Sequence, residues 1–154
     1  MAKEKPKKPS KLDYSKKTSR MDFEIKGKRS VIWVRQYWEY NYLVRGGAGK
    51  WGPIEKKAFH RGIEKVIRKA WSGKFVLEVS GESDFAKWFA GKTLDVKFDI
   101  DAKKSGAHWK VKAFKVPKGK AKTSNVNWPK MTIQLDTEDT KGEIMLGSGL
   151  ITRI

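Results

Sequence analysis

The first half of the folded region alternates between apolar and polar residues. Alternation runs from Asp22 to Lys26 and resumes from Val31 to Val44, with Gly27 and Lys28 between the two runs. A period of two is typical of β-strands, and a glycine between two such runs favours a turn. We therefore predict a hairpin over residues 22–44.

The second strand of this hairpin is apolar on both faces. One face carries Ile32, Val34, Trp38, Tyr40 and Tyr42, and the other carries Val31, Trp33, Tyr37 and Leu43 beside Arg35 and Glu39. Such a strand lies inside a sheet, or has one face on the core and the other against a helix or a partner. We predict that the first face lies on the core and that Trp33 and Tyr37 contact a partner.

A spacing of three and four residues replaces the alternation after the glycine-rich segment 46–49. Apolar residues recur at Ile54, Ala58, Phe59, Ile63, Val66, Ile67, Ala70 and Trp71. This spacing predicts an amphipathic helix over 54–71 that begins beside Pro53 and ends at Ser72-Gly73. The polar side of this helix carries a basic stripe of Lys57, Arg61, Lys65 and Arg68.

The rest of the chain predicts short strands and one short helix. Residues 75–80 form a strand, and residues 83–90 form a helix capped by Ser83 and ended by Gly91. Alternation in 94–101 and 109–116 predicts an antiparallel hairpin, followed by a basic loop over 117–128. Residues 131–135 and 143–154 supply the last two strands. The fold class is α+β: a mostly antiparallel twisted sheet with helices 54–71 and 83–90 packed on it.

The N-terminal segment differs in composition from the remainder. Residues 1–20 hold eight Lys or Arg against two acidic residues, with two prolines and few apolar residues. Such a segment buries too little apolar surface to offset the entropy of ordering. We predict a disordered basic tail over 1–20 and a single domain over 21–154.

The charge balance indicates the class of partner. With 35 basic and 17 acidic residues, the 154-residue chain has a net charge of +18, which attracts nucleic acid, anionic lipid and acidic wall polymers. Basic residues among aromatic ones are typical of surfaces that bind phosphates and stack on bases. We predict a non-enzymatic binding module that engages a polyanion, most simply nucleic acid. The same pattern also fits the alternative that the aromatic rings fill the core and the lysines only solvate the surface.

The candidate contacts are basic and aromatic. In the tail they are Lys7, Lys8, Lys16 and Lys17; in the domain they are Arg35, Lys50, Lys57, Arg61, Lys65, Arg68, Lys110, Lys112, Lys118 and Lys120, with Trp33, Tyr37 and Trp51 as stacking residues.

The sequence offers little for catalysis, and we predict no catalytic residue, metal site or cofactor. There is no cysteine, and the two histidines, His60 and His108, fall on different predicted elements. The segment 46–49 lacks the Gly-Lys-Ser/Thr ending of a phosphate-binding loop. The acidic segment 136–143 lacks the order of an EF-hand and is typical of a solvated turn. An enzyme that uses scattered carboxylates, such as Glu78 with Glu82, is a lower-ranked alternative.

One family resemblance rests on the order of elements and on several short phrases. The segments FHRGIEKVIRKAWS, FVLEVSGESDFAKWFAG, TLDVKFDID, HWKVKAFKV and MTIQLDTEDT resemble the upstream sheet-and-helix half of zincin-like metallopeptidase domains of bacterial contractile-injection and type VI secretion cargo. The resemblance covers roughly residues 31–140. It implies a zinc-binding HExxH helix after MTIQLDTEDT, but the sequence contains no HExxH, and neither histidine matches a ligand position. It therefore implies a non-catalytic or truncated relative, an effector or an injection-system component, with a structural or partner-binding role.

No apolar run approaches the roughly 20 residues that span a bilayer, and the lysine-rich N-terminus lacks the apolar core of a signal peptide. We expect a cytoplasmic protein, and any export would use a route without a cleaved signal peptide.

Overall fold

A computed structural model describes residues 4–121, 124–141, 143–146 and 150–153, the last two ranges by their backbone. The helices are α1 (Pro53–Trp71) and α2 (Asp84–Phe89), with 3-10 turns at Gly27–Arg29 and Thr137–Lys141. The strands are β1 (Asp13–Lys17), β2 (Asp22–Lys26), β3 (Val31–Val44), β4 (Val76–Glu78), β5 (Thr93–Ala102), β6 (Trp109–Lys115), β7 (Asn125–Asn127), β8 (Thr132–Asp136), β9 (Glu143–Leu146) and β10 (Leu150–Arg153). In the described residues, no helix is both long and apolar enough to cross a membrane.

Eight of these strands form one mixed sheet, so the α+β class is confirmed and the mostly antiparallel sheet is not. The pairs β1–β2, β2–β3, β4–β5 and β7–β8 are antiparallel, whereas β3–β5, β3–β6 and β6–β8 are parallel. β3 and β5 can pair in parallel because α1 and the segment after it return the chain to the same end of the sheet, as crossover connections do. Strands β9 and β10 pair with each other where a single strand over 143–154 was predicted, and residues 147–149 and Ile154 lie outside the described residues.

β3 organises the sheet because different strands pair along each of its edges. β5 pairs with residues 31–38 of β3 on one edge, and β2 pairs with residues 31–35 on the other. β6 then pairs with residues 38–44, beyond the point where β2 begins. The predicted hairpin over 22–44 is confirmed as the β2–β3 pair.

The predicted antiparallel hairpin over 94–116 is wrong. The Lys103 N–H donates to the Trp38 carbonyl at 2.9 Å, and the His108 N–H donates to the Tyr37 carbonyl at 2.8 Å. Successive peptide groups of a strand point to opposite edges, so the loop 103–108 passes across β3 from one edge to the other. β5 and β6 consequently lie on opposite sides of β3 and do not pair. Local alternation carries no information about a third strand between two others.

The two helices cover different parts of one face of the sheet. The helix predicted over 54–71 is confirmed as α1, which buries Phe59 and Ile63 in a cluster with Trp38 and Trp109. The helix predicted over 83–90 is confirmed as α2, and the Ser83 side chain caps it by accepting the Ala86 N–H at 3.1 Å.

The second cluster of the core lies under α2. The side chains of Phe85 and Phe89 from α2 join Ile32 from β3 and Leu94 from β5 in this cluster. By alternation, the inward residues of β3 are the even-numbered ones, and Arg35 and Tyr37 lie on the opposite, open face of the sheet.

Two structured segments lie where sequence composition predicts none. β1 falls inside the range 1–20, where the Gly27 N–H donates to the Leu12 carbonyl at 2.9 Å. Its residues are largely exposed, and the strand is held by backbone pairing with β2 and by the Tyr14 ring, which lies edge-on to Phe85 of α2. β7 falls inside the predicted loop 117–128 and pairs with β8. In both cases a neighbouring strand supplies hydrogen bonds that composition does not reveal.

Candidate polyanion-binding site

A depression of about 530 Å³ lies on the open face of the sheet. It forms where β2 begins, β6 begins and the loop 103–108 crosses β3, and we call it the Tyr37 basin. Its charged and aromatic lining consists of Lys16, Lys17, Asp22, Phe23, Glu24, Arg35, Tyr37, Lys103 and His108. Four of these nine, Lys16, Lys17, Arg35 and Tyr37, are among the residues predicted from the sequence.

His108 fixes the floor of the Tyr37 basin. Its Nδ1 accepts the backbone N–H of Tyr37 at 2.9 Å, so the proton of the neutral ring lies on Nε2, which faces Asp22 Oδ1 at 2.9 Å. The imidazole also stacks on the Tyr37 ring, with centroids 5.5 Å apart and planes at 12°. Both ring nitrogens are therefore engaged, and His108 acts as a positioning group for Tyr37 and Asp22.

Arg35 joins three strands on the open face of the sheet. Its guanidinium donates to Glu24 Oε2 of β2 and to Asp99 Oδ2 of β5, both at 3.1 Å. Hydrogen bonds from Lys26 and Arg35 hold the pKa of Glu24 below its usual range. Since two carboxylates already bind Arg35, this residue contributes to the architecture of the basin and has fewer free donors for a ligand.

Two lysines on the open face at the Tyr37 basin, Lys17 and Lys103, keep their charges free. Lys16 pairs with Phe23, which packs against the α2 cluster, so by alternation its side chain points to the helix face. Within the part of the chain that the structure describes, Lys17 and Lys103 have no carboxylate at salt-bridge distance. The Lys103 ammonium lies 4.7 Å from the centroid of the Tyr37 ring. A phosphate in the basin would meet these cations beside an aromatic ring, which is the combination that single-stranded nucleic-acid sites use.

The predicted basic stripe on the helix is a separate surface. Lys57, Arg61, Lys65 and Arg68 are all exposed along α1. They lie on the helix layer, whereas the Tyr37 basin lies on the other face of the sheet. The structure therefore divides the predicted candidates between two surfaces.

The remaining basic candidates are exposed but spread over the molecule. Lys110 and Lys112 project from β6, while Lys118 and Lys120 lie in the turn that follows this strand. Lys7 and Lys8 precede β1, and Lys50 lies between β3 and α1, where its carbonyl accepts the Lys115 ammonium at 2.9 Å.

The three aromatic candidates have different surroundings. Tyr37 lines the basin, and Trp33 lies near the Lys97 ammonium, 5.6 Å from its ring centroid. Trp51 donates from its indole N–H to the Leu43 carbonyl at 2.7 Å and lies edge-on to Phe59. Trp51 therefore packs in the aromatic layer under α1.

Sequence reasoning missed two cation–aromatic contacts, one between Lys103 and Tyr37 and one between Arg20 and Trp128. Lys103 belongs to a segment that alternation assigns to a hairpin turn, and only the crossing of β3 brings it to Tyr37. Trp128 is 50% exposed, lies against Trp109 and has the Arg20 guanidinium 5.4 Å from its ring centroid. Pro129 and the polar residues near Trp128 indicate a turn but not the contact with Arg20.

The acidic segment 136–143, predicted to be a solvated turn, is in part buried. Asp136 and Asp139 are buried, and Asp139 Oδ2 accepts the Ser124 hydroxyl at 2.6 Å and the Asp136 N–H at 2.8 Å. Burial raises the pKa of Asp139 to about 6. Glu138 pairs with Lys141 in the same turn. Among the described residues, no three His, Cys, Asp or Glu side chains are grouped to hold a metal ion.

Scans against protein-family models, curated proteins and solved structures found no match for this chain. The resemblance to zincin-like domains stays a prediction.

Proposed function

We propose that this protein is a non-enzymatic module that binds a polyanion, most simply nucleic acid, at the Tyr37 basin. The observation that carries the proposal is the pair of lysines without a carboxylate partner, Lys17 and Lys103, beside an aromatic ring on the open face. The basin also contains acidic groups, but Glu24 is bound to Arg35 and Asp22 faces the His108 ring. The cations are thus the groups left for a ligand.

The shape and charge of the basin favour a single strand over a duplex. The basin is a depression in one face of a sheet, about 530 Å³ in volume, and its ring is partly exposed. A nucleotide fits such a space with its base near Tyr37 and its phosphates toward Lys17 and Lys103. A duplex hides its base faces and would contact only the outer lysines. The net charge of +18 adds attraction at long range.

The helix stripe is the competing surface, and one comparison separates the two. The double variant Lys17→Glu/Lys103→Glu changes the net charge by the same amount as Arg61→Glu/Lys65→Glu on α1. All four side chains are exposed, so neither variant removes buried packing. Binding of labelled single- and double-stranded oligonucleotides is measured at several salt concentrations for both variants and the parent chain.

The basin proposal requires that the first double variant loses most affinity. Loss of two phosphate contacts lowers the slope of log K against log salt by about 1 to 2. Loss confined to the helix variant would place the site on α1, and equal loss in both would show that only net charge matters. Absent binding, or binding that does not depend on salt, would remove the proposal.

A secreted effector or injection-system component with a degenerate, non-catalytic zincin-like fold is the second candidate. The packing of α1 on a twisted sheet formed by the resembling segments supports it. The test is expression beside a contractile injection apparatus, followed by detection of this chain in purified particles. Its absence from the particles would remove this candidate.

A further inference from the structure

An apolar surface at the end of α1 lies apart from the Tyr37 basin. Four side chains form it: Trp71 at the end of the helix and Phe75, Val76 and Leu77 in and before β4. They are 40%, 48%, 57% and 45% exposed, respectively. The Trp71 and Phe75 rings stack with centroids 5.6 Å apart, so the two aromatic residues present one continuous surface. We call this surface the β4 patch.

The β4 patch projects from the edge of the sheet. Every residue from Gly73 to Glu78 is exposed, and among the described strands β4 pairs with β5 alone. Val76 and Leu77 are neighbours in a strand and point to opposite faces, yet both are exposed. A strand exposed on both faces is a projection rather than a groove. A projection of this kind fits a fluid environment that can contact both faces of the strand.

The charges beside the β4 patch favour an anionic medium. Arg68, Lys69 and Lys74 are exposed around it, and Arg68 lies one helical turn before Trp71 on the same side of α1. The nearby acidic residues are Glu78 and Asp95, which pairs with Val76 in the sheet. A second copy of this chain is a poor occupant, because each copy carries a net charge of +18.

We propose that the β4 patch inserts into the interface of an anionic lipid bilayer, with Trp71, Phe75, Val76 and Leu77 among the acyl chains and the flanking lysines at the headgroups. Aromatic and aliphatic side chains beside lysine and arginine are the composition of surfaces that lie in a bilayer interface. Basic residues add attraction to anionic headgroups. This inference concerns a surface separate from the nucleic-acid site and does not depend on it.

The absence of cysteine allows a probe to be placed at one site. In Val76→Cys, the new thiol is the only one in the chain and is labelled with a fluorophore that responds to apolar surroundings. Val126→Cys is the matched control, since Val126 is 52% exposed on the edge strand β7. Both proteins are mixed with phosphatidylcholine vesicles, with and without about a third of phosphatidylglycerol. A nitroxide in the acyl chains reports the depth of each probe.

Insertion predicts that the probe at residue 76 brightens on anionic vesicles and is quenched by the acyl-chain nitroxide, while the probe at residue 126 does not change. Vesicle affinity falls about tenfold in Phe75→Ser/Leu77→Ser, and Val126→Ser leaves it unchanged. Sedimentation with vesicles without a response at residue 76 would show adsorption by charge alone and overturn the proposal. An equal response at both residues, or a response at residue 76 to protein concentration without vesicles, would overturn it as well.

Discussion

The backbone N–H of Tyr37 donates to Nδ1 of His108 at 2.9 Å, across the point where β2 and β6 meet on one edge of β3. At this point of β3, the His108 side chain accepts the backbone hydrogen bond that a neighbouring strand would otherwise accept. Its second nitrogen faces Asp22, the first residue of β2, so one imidazole joins three strands. The position of Tyr37 in the candidate site therefore depends on a residue that does not have to contact the ligand.

The first prediction concerns this bridge. His108→Ala leaves the Tyr37 N–H and the Asp22 carboxylate without their partner, and we expect the free energy of unfolding to fall by about 1 to 3 kcal/mol. Denaturant unfolding measures the fall, and amide hydrogen exchange at Tyr37 should become faster. Lys110→Ala, an exposed change two residues away, serves as the control. Unchanged exchange at Tyr37 would show that the bridge is not needed.

The second prediction concerns Arg35, which the structure gives two carboxylate partners. Arg35→Gln leaves Glu24 and Asp99 without their shared cation, and Asp99 also lies beside Asp101, whose pKa is raised by burial and by Asp99. We expect a loss of about 1 to 3 kcal/mol in the free energy of unfolding at pH 7.

The pH dependence of this loss has a definite sign. The pKa of Glu24 is lowered in the folded protein, so its contribution to stability is present above its usual pKa of 4.5 and disappears as the pH falls. The difference between Arg35→Gln and the parent chain should shrink toward pH 3. A difference that stays constant over this range would mean that Arg35 acts by packing rather than by charge.

The elements of this fold could be predicted from local pattern, and their arrangement could not. Phe59 and Ile63 recur with helical spacing, and Ser83 precedes a short helix as a cap, so both helices follow from residues close in sequence. The position of β6 depends on the unpaired second half of β3, far away in the chain. Alternation in β5 and β6 fits a hairpin equally well. Only the competition among β2, β5 and β6 for the edges of β3 decides between the two arrangements.

The sequence predicted only part of the candidate site, because local pattern reports which residues share a strand face but not which strands lie side by side. Tyr37 and Arg35 share a strand face by alternation, which local pattern predicts. The other residues of the site reach Tyr37 and Arg35 through separate contacts with β2 and β3; they are Lys103, His108 and Lys17. The sequence identified the aromatic residue of the site and some of its cations. It gave no sign that Arg35 is bound to Glu24 and Asp99, because a partner across strands depends on register.

The third prediction tests how β1 is held at the edge of the sheet. A Cβ on Gly27 would lie 2.4 Å from the Leu12 carbonyl oxygen, a backbone atom that cannot move alone. Gly27→Ala should therefore push the start of β1 away from β2 and cost about 1 to 3 kcal/mol of stability. Hydrogen exchange of the β1 and β2 amides should become faster.

Gly47→Ala is the control for this experiment. Its Cβ would meet no atom within 4 Å, but its φ of +74° makes alanine unfavourable by about 1 kcal/mol. Both variants lose stability, but only Gly27→Ala should lose protection in β1. Equal protection in both would show that β1 tolerates the added carbon.

The fourth prediction follows from the buried Asp139. Burial raises its pKa from 3.8 to about 6, so the folded state holds the proton more tightly than the unfolded state. The resulting stability is fully present below pH 3.8 and is lost as the pH rises through 6. The loss is about 3 kcal/mol for a shift of roughly two units. In Asp139→Asn, which keeps an oxygen to accept the Ser124 hydroxyl, this fall should disappear.

Urea unfolding at intervals from pH 4 to pH 7 gives the difference between the two chains. Glu138→Gln in the same turn is an informative control, because hydrogen bonds from Lys141 and Gly119 lower the pKa of Glu138. Its contribution has the opposite sign and disappears as the pH falls. Parallel stability curves for Asp139→Asn and the parent chain would contradict the prediction.

The last prediction separates the N-terminal tail from the folded site. A chain that begins at Lys11 lacks four lysines and Glu4 but keeps Leu12 and β1, and hence Lys16 and Lys17. Its free energy of unfolding should stay within about 0.5 kcal/mol of the full chain, because residues 4–10, the described part of the removed segment, make no strand pair. Its nucleic-acid affinity should fall at low salt, with the slope of log K against log salt reduced by about 2 to 3, while the remaining binding still responds to Lys103→Glu. If shortening the chain abolishes binding, the polyanion is held by the tail, and the lysines around Tyr37 are only solvated charges.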